Sequence, residues 1–298
     1  MLKTVLVTGA NGFIGSNLCK RLYKDHKVIA IGNCNENYVK CNAFFQEIPW
    51  DLIPDIDICF HLGANNDTTD LNIGKMLQAN LIHPAHFFSK LATEKKCKQF
   101  VYSSSGSVYG NQPVPYIEDE TVLKPLNPYA ESKRLFEEYA NFFAIEFNAN
   151  VIGLRYTNVF GPGEKFKEKR ASMIHQLLHK MLVNERPKIF KNGEQLRDWV
   201  YVDDVVEANM LSSKHNESGV FNVGSGEAMS FNDIVKTLNL ELGTSLEPEY
   251  IECLFKDKYQ SHTLANLDKS RQKLAYFPKY SIREGIKKFV EETKKAGC

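Results

Sequence analysis

Short apolar runs alternate with longer amphipathic stretches through the first half of the chain. Runs at Thr4–Thr8, Val28–Ile31, Asp57–Leu62, Gln99–Ser103 and Val151–Leu154 have the length and composition of buried strands. Between them, apolar residues recur at helical spacing over Phe13–Lys24, Ile73–Lys95 and Pro128–Phe147. Alternation of this kind predicts a parallel sheet covered by helices on both faces. One region is thin: between Ile31 and Asp57 a short strand at Phe44–Gln46 fits, but the prolines within Glu47–Asp55 rule out a long helix. After Pro162 the pattern loosens into a charged stretch, Glu164–Arg170, then a helix, then short strands over Pro187–Val202. A further strand at Val220–Val223 and more helices follow.

The composition narrows the class. A formal net charge of +1 gives no field to attract nucleic acid or an anionic membrane. The apolar runs are far shorter than a membrane span. The N-terminal residues enter a strand and a glycine turn directly, without signal-peptide architecture. Seven cysteines, an odd number with no Cys-x-x-Cys, read as free thiols of a cytoplasmic protein.

The turn after the first strand carries Gly9-Ala10-Asn11-Gly12-Phe13-Ile14-Gly15 and opens the first helix. Glycines there permit a tight turn and let backbone N–H groups approach a pyrophosphate at the helix N-terminus. The expected fold is therefore α/β. A doubly wound Rossmann sheet spans residues 1–162, and a smaller α/β lobe for substrate spans 163–298. A segment near 200–228 returns to the first sheet. The second strand ends Ala30-Ile31-Gly32-Asn33, without the acidic residue that commonly holds an adenosine ribose. That absence, with Lys40 nearby, leans towards NADP, with NAD as the alternative.

Candidate chemistry centres on Asn127-Pro128-Tyr129-Ala130-Glu131-Ser132-Lys133. Asn is a good N-cap and Pro suits the first helical position, so Tyr129 and Lys133 project from one face at a helix start. A neighbouring cation favours a phenolate, which alcohol–ketone chemistry requires as a base. Spacing alone is weak evidence, since Tyr23 and Lys27 share it. Tyr129 gains from Ser103-Ser104-Ser105-Gly106-Ser107, at the C-terminal end of a strand, where open α/β sheets bind ligands.

Glycine loop, serine run and Tyr-x-x-x-Lys together resemble the extended short-chain dehydrogenase/reductase superfamily. So do His61–Ala64, Leu154–Pro162, Arg197–Val205 and Phe221–Gly226, and the resemblance covers essentially the whole chain. It implies bound NAD(P), contacted by Gly9, Asn11, Gly12, Phe13, Ile14, Gly15, Asn33, Lys40, Gly63 and Ala64, and a nucleotide-diphosphate sugar as substrate. It makes Tyr129 the acid/base. Lys133 lowers the tyrosine pKa and holds the nicotinamide ribose, and Ser105 bonds the reacting hydroxyl. Gly106, Asn158 and Tyr259 fall at substrate positions, and Arg197 at a diphosphate position. The 4,6-dehydratase branch carries Thr-Asp-Glu where this chain has Ser105-Gly106-Ser107, so dehydration is not expected.

The chain most resembles the ADP-glyceromanno-heptose 6-epimerase branch. The matches are Gly63-Ala64 before Thr68-Thr69, Lys124–Asn127, Gly161-Pro162 with Lys167 and Ala171-Ser172, Pro187–Phe190, and Tyr259-Gln260. In that branch a lysine after the Gly-Pro segment is a second acid/base, and Lys167 falls at its spacing. A UDP-hexose 4-epimerase using Tyr129 alone, and a non-catalytic NAD(P)-binding regulator, are the alternatives. Relatives pair two helices across a dimer. The stripes Phe87, Phe88, Leu91 and Leu135, Phe136, Tyr139, Phe142, Phe143 therefore supply core, and part of them an interface, for a homodimer or higher oligomer. His175 and His179 lie one helical turn apart but lack a third ligand, so no metal is expected.

Overall fold

The computed structural model describes residues 2–32, 39–40, 48–252 and 260–296, with backbone alone at 39–40, 166 and 168–169. The first six strands are β1 (Thr4–Thr8), β2 (Lys27–Gly32), β3 (Val39–Lys40), β4 (Ile58–His61), β5 (Gln99–Ser105) and β6 (Asn150–Tyr156). Helices α1 (Phe13–Leu22), α2 (Ile73–Leu77), α3 (His83–Glu94) and α4 (Pro128–Glu146) connect them. A parallel strand, Gly219–Val223, pairs with β6 and closes a seven-stranded sheet; numbered in chain order it is β11. The sheet order is β11-β6-β5-β4-β1-β2-β3, with the reversal of direction beside β1 and β4. Phe44–Gln46 lies outside the described residues; the short third strand among them is Val39–Lys40.

Alternation along each strand feeds two cores. Val5, Val7, Phe60, Val101 and Ile152 face one side, against α1 and helix α6 (Val202–Ser212). Leu6, Cys59, Phe100, Tyr102 and Val151 face the other, against Phe87, Phe88 and Leu91 of α3 and Phe136 and Phe143 of α4. Burial on both faces explains why these strands read as continuous apolar runs. The aromatic stripes of the sequence are thus largely core. Phe142 is the exception, at 60% exposure.

The rest of the chain forms a smaller layer. Strands β7 (Asn158–Phe160), β8 (Lys188–Phe190), β9 (Leu196–Arg197), β10 (Trp199–Tyr201), β12 (Met229–Ser230) and β13 (Glu249–Ile251) join in two-stranded pieces. Helices α5 (Met173–Leu182), α7 (Phe231–Leu242) and α9 (Ile282–Lys295) close a third core around Phe160, Trp199, Phe231 and Phe289, while α8 (Asp268–Leu274) packs on β11.

Two boundaries differ from the sequence reading. The single helix expected over Ile73–Lys95 contains a π-helical turn at Gln78–Ile82. This turn carries the buried Asn80, whose carboxamide is tied to Asn65 and Ser132. Strands β5 and β6 run on to Ser105 and Tyr156, past the end of their apolar runs. Pairing continues because the polar side chains there find buried partners.

Candidate active site

The loop between β1 and α1 is shaped by backbone contact. Gly9 adopts φ +65, and a Cβ on it would lie 2.7 Å from the Gly63 nitrogen, so β1 and β4 end in touch. A Cβ on Gly15 would strike the Gly9 carbonyl oxygen. Gly12 is the N-cap of α1 with no side-chain cap, and the first turn carries no acidic residue. The opening N–H groups of Phe13 and Ile14 are therefore suited to an anion. Asn11 packs its carboxamide against Gly32 at the end of β2. Gly63 donates to Thr8 Oγ1 at 3.2 Å, and Ala64 follows, half-buried. This cradle fits a dinucleotide pyrophosphate. Asn33 lies outside the described residues, and Lys40 is described by its backbone alone.

Helix α4 begins as its sequence requires. Asn127 accepts from the Ala130 nitrogen at 2.9 Å and Pro128 fills the first turn. Tyr129 and Lys133 then point at the end of β5. Tyr129 meets Ser105, whose hydroxyl hydrogen-bonds the phenol, and burial pushes the phenol above its usual value against that bond. Ser105 also receives the Ser107 hydroxyl at 2.9 Å. Lys133 donates to the Ser103 carbonyl at 2.7 Å, with its ammonium 6.0 Å from the Tyr129 ring centre. Burial pushes Lys133 down to about 8, while the Glu137 carboxylate pulls it up. The expected lowering of the phenol by Lys133 is therefore not the dominant effect in this state. Desolvation outweighs a cation that is turned towards Ser103. The decoy pair behaves otherwise: Tyr23 caps the end of α1 at 51% exposure, and Lys27 opens β2 in solvent.

Ser105, Gly106, Tyr129 and Asn158 line one cavity of about 210 Å³. Its walls bring in residues that were not among the predicted site residues. Tyr109 and Tyr116 stack with ring centres 4.5 Å apart. Thr68, Thr157, Asn222, Gln260 and Thr263 add polar lining. Four of these lie inside matched motifs, but Tyr116 and Thr263 come from segments that no local pattern marks. Asn80 was also missed; a polar residue inside an apolar helical stripe was its one signal.

Two sequence candidates stand elsewhere. Arg197 is buried, and its guanidinium donates to the carbonyls of Leu196 (2.9 Å) and Gln260. Gln260, which lines the cavity, links it to the site. Lys167 is not among the residues lining the Tyr129 cavity. Its ammonium lies 3.4 Å from the buried Glu164 carboxylate and 5.0 Å above the Phe13 ring. Tyr259 lies outside the described residues. The rings of His175 and His179 lie 4.2 Å apart and tilted by 52°, and no metal-binding group of His, Cys, Asp or Glu occurs among the described residues.

Residues 5–224 match the model of the NAD dependent epimerase/dehydratase family. The chain belongs to that family. It is 36% identical to an ADP-L-glycero-D-manno-heptose-6-epimerase of Brachyspira hyodysenteriae, with 98% of each chain covered. The structure matches ADP-L-glycero-D-manno-heptose-6-epimerase of Helicobacter pylori with a TM-score of 0.86 and 33% identity, covering 98% of this chain and 96% of that one. It also matches the UDP-glucose 4-epimerase of Thermotoga maritima, solved with UDP-glucose, with a TM-score of 0.90 and 30% identity, covering 99% and 100%. The fold expected from the pattern is that of the epimerase family. Among the described residues no helix is long and apolar enough to cross a membrane.

Proposed function

We propose that the chain is a nucleotide-sugar epimerase that inverts a secondary alcohol by way of a ketone, and that its substrate is an ADP-heptose. The observation that carries this is the meeting of Ser105 and Tyr129 in one cavity, with Lys133 behind them and the glycine loop beside β4. Likeness to two heptose epimerases supports the sugar. The nicotinamide, when bound, supplies a hydride acceptor that later returns the hydride. Ser105 orients the hydroxyl. Tyr129 takes its proton as the ketone forms, or supplies one on re-reduction when the reaction runs the other way, and solvent restores its starting protonation. The family's NAD dependence fits the cradle around Gly9. The preference for NADP drawn from the missing carboxylate rests on Asn33 and Lys40, and mass spectrometry of ligand released from purified protein separates the two cofactors.

If the ketone keeps its place while hydride leaves one face and returns to the other, a proton partner is needed on each side. We assign Lys167 to the second face, which requires its ammonium to leave Glu164 and turn from Phe13 to the sugar. One observation favours the second reading, a UDP-hexose 4-epimerase with Tyr129 as sole base: Lys167 is held away from the cavity. Lys167→Ala decides between them. Two-base chemistry predicts a kcat loss of roughly 10²-fold or more, comparable with Tyr129→Phe. Full turnover in Lys167→Ala sinks it. An intact Ser105–Tyr129–Lys133 set argues against a non-catalytic regulator.

The groove between Leu81, Ile82, Ala85 and Leu135, Tyr139, Phe142 exposes apolar surface from the π-helical turn, α3 and α4. We read it as the homodimer face, which sedimentation of the Phe142→Glu variant tests.

A further inference from the structure

Behind Tyr129 lies a second set of charges, buried throughout. Helix α4 presents Tyr129, Lys133 and Glu137 at four-residue steps, so all three share the face against β5 and β6. The Glu137 and Arg155 side chains are each 5% exposed. Arg155 grips the carboxylate with two prongs, Nε to Oε1 at 2.9 Å and Nη2 to Oε2 at 2.7 Å. Ser104 donates to Oε1 at 2.5 Å. The third arm of Arg155 donates to the Tyr109 hydroxyl at 2.8 Å, and Tyr109 donates to Asn222 at 2.7 Å. Tyr109 and Asn222 both line the cavity. The serine triplet thus divides its labour. Ser103 holds Lys133, Ser104 holds Glu137, and Ser105 meets Tyr129.

A buried ion pair is weak evidence of stability, because an apolar pair of similar volume often serves as well. The groups packed around Lys133 show what it does instead. On β4, burial keeps His61 neutral. On β5, burial keeps Tyr102 protonated, and the Tyr109 phenol on the turn after it is held the same way. Glu118 faces Asn222 and Arg155. Tyr129 is itself a neutral phenol at rest. Glu137 is left as the anion that acts on Lys133.

We propose that Glu137, paired with Arg155 and aimed by it and Ser104, is a positioning residue for epimerisation: it holds Lys133 as a cation behind Tyr129. It touches neither sugar nor dinucleotide, and acts through Lys133 alone. The proposal rests on the epimerase reading and adds to it the group that sets the upper pH limit of turnover.

The test is Glu137→Gln, which keeps the shape and removes the charge. In wild-type enzyme kcat falls on the basic side as Lys133 loses its proton. In Glu137→Gln that limb moves down by about one pH unit, the low end of the effect of a nearby opposite charge. A readout without substrate or cofactor accompanies it. Lys133 binds its proton less tightly folded than unfolded, so its contribution to stability rises with pH from about 8 towards its ordinary value near 10.4. In Glu137→Gln the rise begins about one unit lower, and in Lys133→Met it is absent. Should Glu137→Gln unfold because Arg155 is stranded, the double variant Glu137→Gln/Arg155→Gln removes both charges and must still show the lowered limb. A uniform loss of rate at every pH, with limb and stability profile unmoved, overturns the proposal. Absence of turnover in wild-type enzyme with every nucleotide sugar fails the epimerase reading instead, and the stability profile still reports on Glu137 and Lys133.

Discussion

Replacing Asn80 with Leu tests whether the π-helical turn exists to place one carboxamide. Asn80 is 3% exposed. Its oxygen accepts from the Asn65 nitrogen at 2.8 Å, and its amide donates to the Asn65 carbonyl and the Ser132 hydroxyl, both at 2.9 Å. Leu keeps the branched outline and is larger, so no cavity is left. What is lost is polar pairing. Ser132 keeps its bond to the Tyr129 carbonyl, but both backbone groups of Asn65 lose their partner. Each stranded group costs about 1–3 kcal/mol, and partial access to water at Asn65 selects the lower end. The expected loss is roughly 2–3 kcal/mol, read as a lower urea midpoint at unchanged slope. Function should fall further than stability. Asn65 follows Gly63-Ala64 beside the cradle, and Ser132 lies between Tyr129 and Lys133, so dinucleotide affinity should drop about tenfold at full folding. A variant within about 0.5 kcal/mol of wild type with unchanged affinity refutes the reasoning, because distant surface changes already produce shifts of that size.

Gly15→Ala drives its Cβ into the Gly9 carbonyl, so calorimetry should find dinucleotide binding lost while the far-ultraviolet circular dichroism stays native. Tyr129→Phe removes the acid/base but leaves the fold, and should lower kcat roughly 10²–10⁴-fold with little change in dinucleotide affinity. Below pH 6.5 two histidines should each take stability from the chain. Burial pushes His61 down to about 3 and His175 to about 4, so the unfolded chain takes up protons that the folded one refuses. Each contributes up to about 1.4 kcal/mol per pH unit, and His61→Gln should remove one such share from the slope of unfolding free energy against pH.

The parts of the site legible in the sequence are those whose physics is local. A strand followed by Gly9–Gly15 and a helix, or Asn127-Pro128 before Tyr129, needs only neighbouring residues to explain it. The meeting of Ser105 and Tyr129 followed from placing both at the C-terminal side of one sheet. What stayed hidden is assembled across the chain. Tyr116 and Thr263 reach the cavity from two loops, and Glu137 depends on Arg155 from the next strand. Lys167 shows the limit of spacing. Its position after Gly161-Pro162 is the expected one, yet its ammonium is taken by Glu164, a carboxylate that also accepts from the Ser172 nitrogen at 2.6 Å. A buried anion three residues away, committed to a helix N-cap, is not visible as such in a charged loop.

The state of Tyr129 and Lys133 together sharpens what turnover must overcome. Burial raises the phenol and lowers the ammonium, so desolvation penalises the charged form of both groups. Proton abstraction needs those charged forms, a phenolate beside a cation. In a desolvated site neither charge is cheap alone, but each lowers the cost of the other. Ser105 already offers the phenolate a hydrogen bond, and Glu137 already favours the cation. The two aids lie on opposite sides of the pair, one in the cavity and one in the core. A substrate hydroxyl bonded to Ser105 and Tyr129 changes the first, while the second is fixed by Arg155 whether or not substrate is present. Basicity at Tyr129 should therefore appear when the cavity fills. The phenol should show a higher pKa in substrate-free protein than the kinetic value for bound substrate, and ultraviolet titration of tyrosinate against the kcat profile measures that gap.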